Sequence, residues 1–194
     1  VRLVTGVRTC ALPIWSSPNS RGEDRDCLFR NSGDATFVDI TGAAGLGDDR
    51  FSQGVAIGDF DNDGFPDLLV ANVGENRLYQ NNGDGTFTDV TKSVGLEGRG
   101  WSSDVAVFDF DDDGDQDVIV ACMFGRAQLY RNDNGKFTDV TLATLGRTPW
   151  GGMGVKVFDA HNDSKLDILI VDMHSDMWMG LDFNHKTRQL ATDS

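Results

Sequence analysis

A nine-residue acidic stretch returns along this chain at intervals of fifty residues. It reads Asp59-Phe60-Asp61-Asn62-Asp63-Gly64-Phe65-Pro66-Asp67, then Asp109-Phe110-Asp111-Asp112-Asp113-Gly114-Asp115-Gln116-Asp117, and a worn copy runs from Asp159 to Asp167. A fixed period of this length means a supersecondary unit that is repeated and stacked, each unit burying what its neighbour leaves open. The fold therefore has to be an array, with the acidic loop at the same place in every unit.

The chemistry of one loop follows from its spacing. Carboxylates at positions 1, 3, 5 and 9, a glycine at 6 for the sharp turn and a main-chain carbonyl at 7 let hard oxygens converge on one cation, which is the donor set of a calcium site. Magnesium prefers a smaller octahedral shell with its waters retained, and the absence of Cys and His from the first two copies argues against zinc. The expected ligands are Asp59, Asp61, Asp63 and Asp67 with the Phe65 carbonyl, and Asp109, Asp111, Asp113 and Asp117 with the Asp115 carbonyl. An EF-hand would need a bidentate Glu at position 12 on an exiting helix. Val70 and Val120 stand there instead, inside the apolar runs Leu68-Leu69-Val70-Ala71 and Val118-Ile119-Val120-Ala121, which read as buried strands.

In the third copy His161 replaces the carboxylate at position 3 and Ser164 the turn glycine, leaving Asp159, Asp163 and Asp167 as ligands. Imidazole is a poor donor to a hard cation, so this loop is the weakest of the three.

Between the loops the chain repeats a second pattern. Leu28 to Asp34 followed by Phe37 to Thr41 recurs as Leu78 to Asp84 with Phe87 to Thr91, and as Leu129 to Gly135 with Phe137 to Thr141. Two short strands about an Asn/Gly/Asp turn make a hairpin. An aromatic residue, Phe51, Trp101 or Trp150, then leads into the strand that delivers the acidic loop. Each period thus holds four short strands, the signature of β-propeller blades. The expected fold is all-β, a propeller segment of three to four four-stranded blades with the loops between the first two strands of a blade. Trp101 and Trp150 are expected to pack between blades.

The repeat resembles the FG-GAP or VCBS type of the integrin alpha-subunit propeller. The Asn81 to Thr91 turn is similar to the bacterial and cartilage-acidic-protein branch of that family. The resemblance implies calcium in the loops at Asp59, Asp61, Asp63 and Asp67 and at Asp109, Asp111, Asp113 and Asp117.

The resulting division is a half blade at 26–46, blades at 51–96 and 101–146, a half blade at 150–178, and an incomplete piece at 179–194. Residues 16–25 read as loop. Residues 1–15 match no part of the repeat, and Thr5 to Ile14 resembles translated sequencing-adaptor read-through, so 1–15 is expected to be non-native and outside the fold. Propellers close with four to eight blades, which makes the chain read as a piece of a longer propeller.

Of the 31 acidic residues 13 lie in the three loops, and the net charge is −14 with a pI near 4.4. That balance speaks against nucleic acid and anionic membrane as partners, and no apolar stretch is long enough to span a bilayer. Three cysteines do not make a disulfide framework. Calcium modules of extracellular proteins bind with constants of about 10⁻⁴ to 10⁻³ M, which points to a secreted, periplasmic or cell-surface location. No nucleophile and base recur in register, so the chain is expected to be non-catalytic and to present loops to an extracellular protein or carbohydrate. The alternative is the accessory or pore-site propeller of a secreted hydrolase. His174, in Asp172-Met173-His174-Ser175-Asp176, reads as a solvated loop histidine.

Overall fold

The computed structural model describes residues 3–6, 26–47, 50–96 and 98–172. It is all-β apart from one helical turn, and the strands fall into successive antiparallel blades of a propeller segment. The first blade contains β1 (Leu3–Gly6), β2 (Cys27–Asn31) and β3 (Phe37–Asp39). The second is β4 (Ser52–Gly58), β5 (Asp67–Glu75), β6 (Arg77–Asn81) and β7 (Phe87–Asp89). The third is β8 (Arg99–Phe108), β9 (Asp117–Cys122), β10 (Gln128–Asn132) and β11 (Phe137–Asp139). The last pair is β12 (Gly152–Phe158) and β13 (Asp167–Asp172).

The apolar runs are buried on both faces because blades stack. Along β5, Leu68 and Val70 pack toward the first blade with Leu28, Ala44, Tyr79 and Phe87. Leu69 and Ala71 point the other way, into a core shared with Val105, Val118 and Val120 of the third blade. In β9 the same alternation places Ile119 and Ala121 against Val155 of β12. Side chains alternate across a strand, so a strand covered on both sides needs every position apolar.

Each hairpin is tied down by its Asp-Val-Thr motif. Asp89 Oδ1 accepts the Thr91 N–H at 3.1 Å and its hydroxyl at 2.6 Å, and Thr91 Oγ1 in turn accepts the Leu78 N–H at 2.9 Å. Asp39 with Thr41 and Leu28, and Asp139 with Thr141 and Leu129, do the same. Neighbouring blades are joined through backbone as well. Phe87 N–H donates to Ala44 O at 2.8 Å, Phe137 N–H to Val94 O at 2.7 Å, and Val73 to Glu75 of β5 pair with Trp101 to Arg99 of β8.

Two expectations are corrected, and one short element was not anticipated. Leu3–Gly6, placed outside the fold from the sequence, forms β1 and pairs antiparallel with all but the last residue of β2; an edge strand offers unpaired N–H and C=O groups to any extended neighbour. After Asp139 the chain makes a four-residue helix α1 (Thr141–Thr144) that no helical period announced. The aromatic rings before the inner strands do not fill the space between blades: Trp101 is 42% and Trp150 68% exposed. The inter-blade volume is taken by Val, Leu, Ile and the hairpin Phe residues, and the Trp101 ring meets the Phe124 ring edge to face, 4.7 Å between centroids.

Candidate metal centres

Loop 1 (residues 59–66) leaves β4 and returns into β5, and its shape is held by its own carboxylates. Asp59 accepts the Asp63 N–H on Oδ1 at 3.1 Å and the Gly64 N–H on Oδ2 at 3.0 Å. Asp63 Oδ1 accepts the Phe65 N–H at 2.8 Å. The turn needs left-handed backbone at Asn62 (φ 58°) and Gly64 (φ 89°), the second of which explains the glycine at position 6. Asp67 closes the loop: Oδ2 accepts the Phe60 N–H at 3.0 Å, and Oδ1 the Asn81 N–H at 2.8 Å.

Loop 2 (109–116) repeats this bond for bond. Asp109 accepts from Asp113 and Gly114, Asp113 from Asp115, and Asp117 from Phe110 at 2.8 Å and Asn132 at 2.7 Å. In both loops the carboxylates at positions 1, 3 and 9 come together. Asp59, Asp61 and Asp67, and likewise Asp109, Asp111 and Asp117, each offer an oxygen within 4.8 Å of the others. An all-oxygen carboxylate set of this kind fits a hard cation.

Asp67 and Asp117 lie almost completely out of solvent. Burial pushes both carboxyls up to about 6; their backbone hydrogen bonds pull the other way, and the nearby Asp61 and Asp63, or Asp111 and Asp113, add repulsion. A cation among these carboxylates relieves both the desolvation and the repulsion.

The other expected ligands are placed differently. The Asp63 and Asp113 carboxylates are engaged with loop N–H groups and stand outside the two trios. The Asp115 side chain is buried and turned away from loop 2, accepting Asn62 Nδ2 on Oδ1 at 2.7 Å and the Asn134 N–H on Oδ2 at 2.6 Å. Phe65 lies exposed, its ring against Gly83.

Loop 3 (159–166) keeps the backbone and loses the trio. Asp159 still accepts from Asp163 at 3.1 Å and Ser164 at 2.8 Å, and Ser164 takes the glycine conformation at φ 67°, a strain of about 1–2 kcal/mol for a residue with a Cβ. His161 Nδ1 sits 3.1 Å from Asp167 Oδ2. The Ala160 N–H and then the His161 contact hold the Asp167 carboxyl below its usual range, opposite to Asp67 and Asp117. Among the described residues no third trio forms. His174 lies outside the described residues.

One set of functional contacts is invisible to a reading of single loops. Loop 1 is bonded to the next blade: Gln116 Oε1 accepts the Asp59 N–H at 2.9 Å, and Asn132 Nδ2 donates to Phe60 O at 2.8 Å. The signal in the sequence was Gly58, where the later blades carry Phe108 and Phe158; a Cβ at Gly58 would stand 2.3 Å from Gln116 Oε1.

Blades of four antiparallel strands, with acidic loops between the first two whose carboxylates are grouped as a metal site requires, define a β-propeller repeat protein. An FG-GAP-like repeat profile matches residues 14–70, 59–120 and 109–170 in succession, and the chain belongs to the FG-GAP-like repeat family. A search among curated proteins finds no match. No helix among the described residues is long and apolar enough to cross a membrane.

Proposed function

We propose that this chain is a calcium-binding propeller module without catalytic activity that presents its surface to an extracellular protein or carbohydrate. The observation that carries the calcium reading is the pair of matching trios, Asp59, Asp61 and Asp67 with Asp109, Asp111 and Asp117, on loops of equal geometry. Calcium accepts six to eight oxygens in flexible geometry and tolerates carboxylates, carbonyls and water together. With calcium bound, Asp67 and Asp117 stay ionised while buried, and the ion supplies the charge that makes this favourable.

The presenting surface lies at the opposite end of the inner strands. Phe51 directly precedes β4, Trp150 stands two residues before β12, Trp101 stands near the start of β8, and the acidic loops follow the same strands. All three rings are exposed, Phe51 by 58%, and an aromatic ring offers a partner a large apolar face. Weak calcium sites fill only where the ion is abundant, which favours a secreted, periplasmic or cell-surface setting.

Calorimetric titration of the chain with calcium, paired with thermal melts in calcium and in chelator, tests the reading. Two sites of weak affinity and a melting temperature that rises with calcium are expected. A melt indifferent to chelator, with no heat of binding, would overturn it.

A further inference from the structure

Loop 1 is held at three points by the following blade. Besides the Gln116 and Asn132 bonds to Asp59 and Phe60, Asn62 Nδ2 donates to Asp115 Oδ1 at 2.7 Å. Asp115 and Gln116 are themselves positions 7 and 8 of loop 2, between Asp113, whose Oδ1 accepts the Asp115 N–H at 2.8 Å, and Asp117. Gly58 leaves the room that the Gln116 carboxamide occupies. Among the described residues loop 2 has no counterpart clamp: Phe108 fills the position of Gly58, and loop 3 carries Lys165 and Leu166 where loop 2 carries Asp115 and Gln116. A leucine accepts no hydrogen bond, and a lysine reverses the charge.

We infer that loops 1 and 2 are one coupled pair of cation sites, in which Gln116 and Asp115 of loop 2 are positioning residues for the ligands of loop 1. The inference rests on the calcium reading above. Without an ion the loop 2 carboxylates repel one another and the loop loosens, carrying away the acceptors that hold Asp59 and Asn62. Filling loop 2 fixes those acceptors, so loop 1 binds with less ordering cost, and linkage requires the same factor in the reverse direction.

Proton–nitrogen correlation spectra of the full chain during calcium titration separate the two sites. The Gly64 and Gly114 amides donate to Asp59 and Asp109, so each reports its own loop. Asp111→Asn, at an exposed ligand, is expected to abolish the Gly114 response and to weaken calcium binding at Gly64 about fivefold or more. Asp61→Asn should weaken binding at Gly114 by the same factor. In a Gln116→Leu background that factor should fall toward one, and Gln116→Glu, which keeps an acceptor opposite the Asp59 N–H, should restore it. A merely structural Gln116 would shift the constants in both backgrounds alike and leave their ratio intact. The inference is overturned if Asp111→Asn leaves Gly64 unaffected, or if the factor survives Gln116→Leu; a calcium response absent from both glycines would overturn the calcium reading along with it.

Discussion

Asp117 Oδ1 accepts the backbone N–H of Asn132 at 2.7 Å, joining the end of loop 2 to the end of β10 fifteen residues later. Its other oxygen takes the Phe110 N–H at 2.8 Å, and the side chain is wholly buried. This residue is a structural acceptor as well as a proposed ligand, and the two roles separate by mutation. Asp117→Ala leaves two buried donors unpaired and should cost about 2–4 kcal/mol in urea unfolding even with chelator present. Asp111→Asn, exposed, should change the stability in chelator by no more than about 0.5 kcal/mol while removing much of the gain that calcium confers.

The raised carboxyls give stability a pH dependence whose sign reverses with metal. The folded values of Asp67 and Asp117, about 6, exceed the ordinary 3.8. Their contribution in the metal-free protein is therefore complete below about pH 4 and is lost as pH rises through 6. Metal-free protein should be more resistant to urea at pH 5 than at pH 7, by on the order of 1 kcal/mol per carboxylate. Protons and calcium compete for these oxygens, so calcium affinity should fall as pH drops below about 6. Urea melts and calorimetry at both pH values check the two trends.

Loop 3 offers a gain of function. His161→Asp together with Ser164→Gly supplies the missing carboxylate and removes the strained φ of 67°. The number of calcium ions bound per chain, measured by calorimetry, should rise from two to three.

Thr91 tests the hairpin tie. Thr91→Val preserves shape but leaves the Leu78 N–H without its acceptor at a buried site, and should lower stability by about 1–3 kcal/mol in chelator. Calcium affinity should be unchanged, because Thr91 touches neither loop.

Much of the fold was legible because it is local. The Asn-Gly-Asp turns, the Asp-Val-Thr ties and the acidic loops each use contacts between residues close in the chain, and the fifty-residue period orders them. Loop spacing put carboxylates at positions 1, 3, 5 and 9 around one point; the structure gathers those at 1, 3 and 9 and turns the position 5 carboxylate to a loop N–H. Trp101 and Trp150 were misplaced because an aromatic residue reads the same in sequence whether its strand end meets a neighbour or solvent. β1 was missed because Leu3–Gly6 joins the sheet by main-chain bonds to β2, which need no repeat motif.

What the sequence determined by itself was the repeating unit and the chemistry of its loop, since both depend on residue types at short, fixed separations. What only the tertiary structure decided was how one loop meets the next: Asp115 turns from its own loop to Asn62, Gln116 reaches Asp59, and Asn132 reaches Phe60 across 72 residues. Those bonds depend on the twist and spacing of stacked blades, which bring distant positions within 3 Å and which no local pattern encodes.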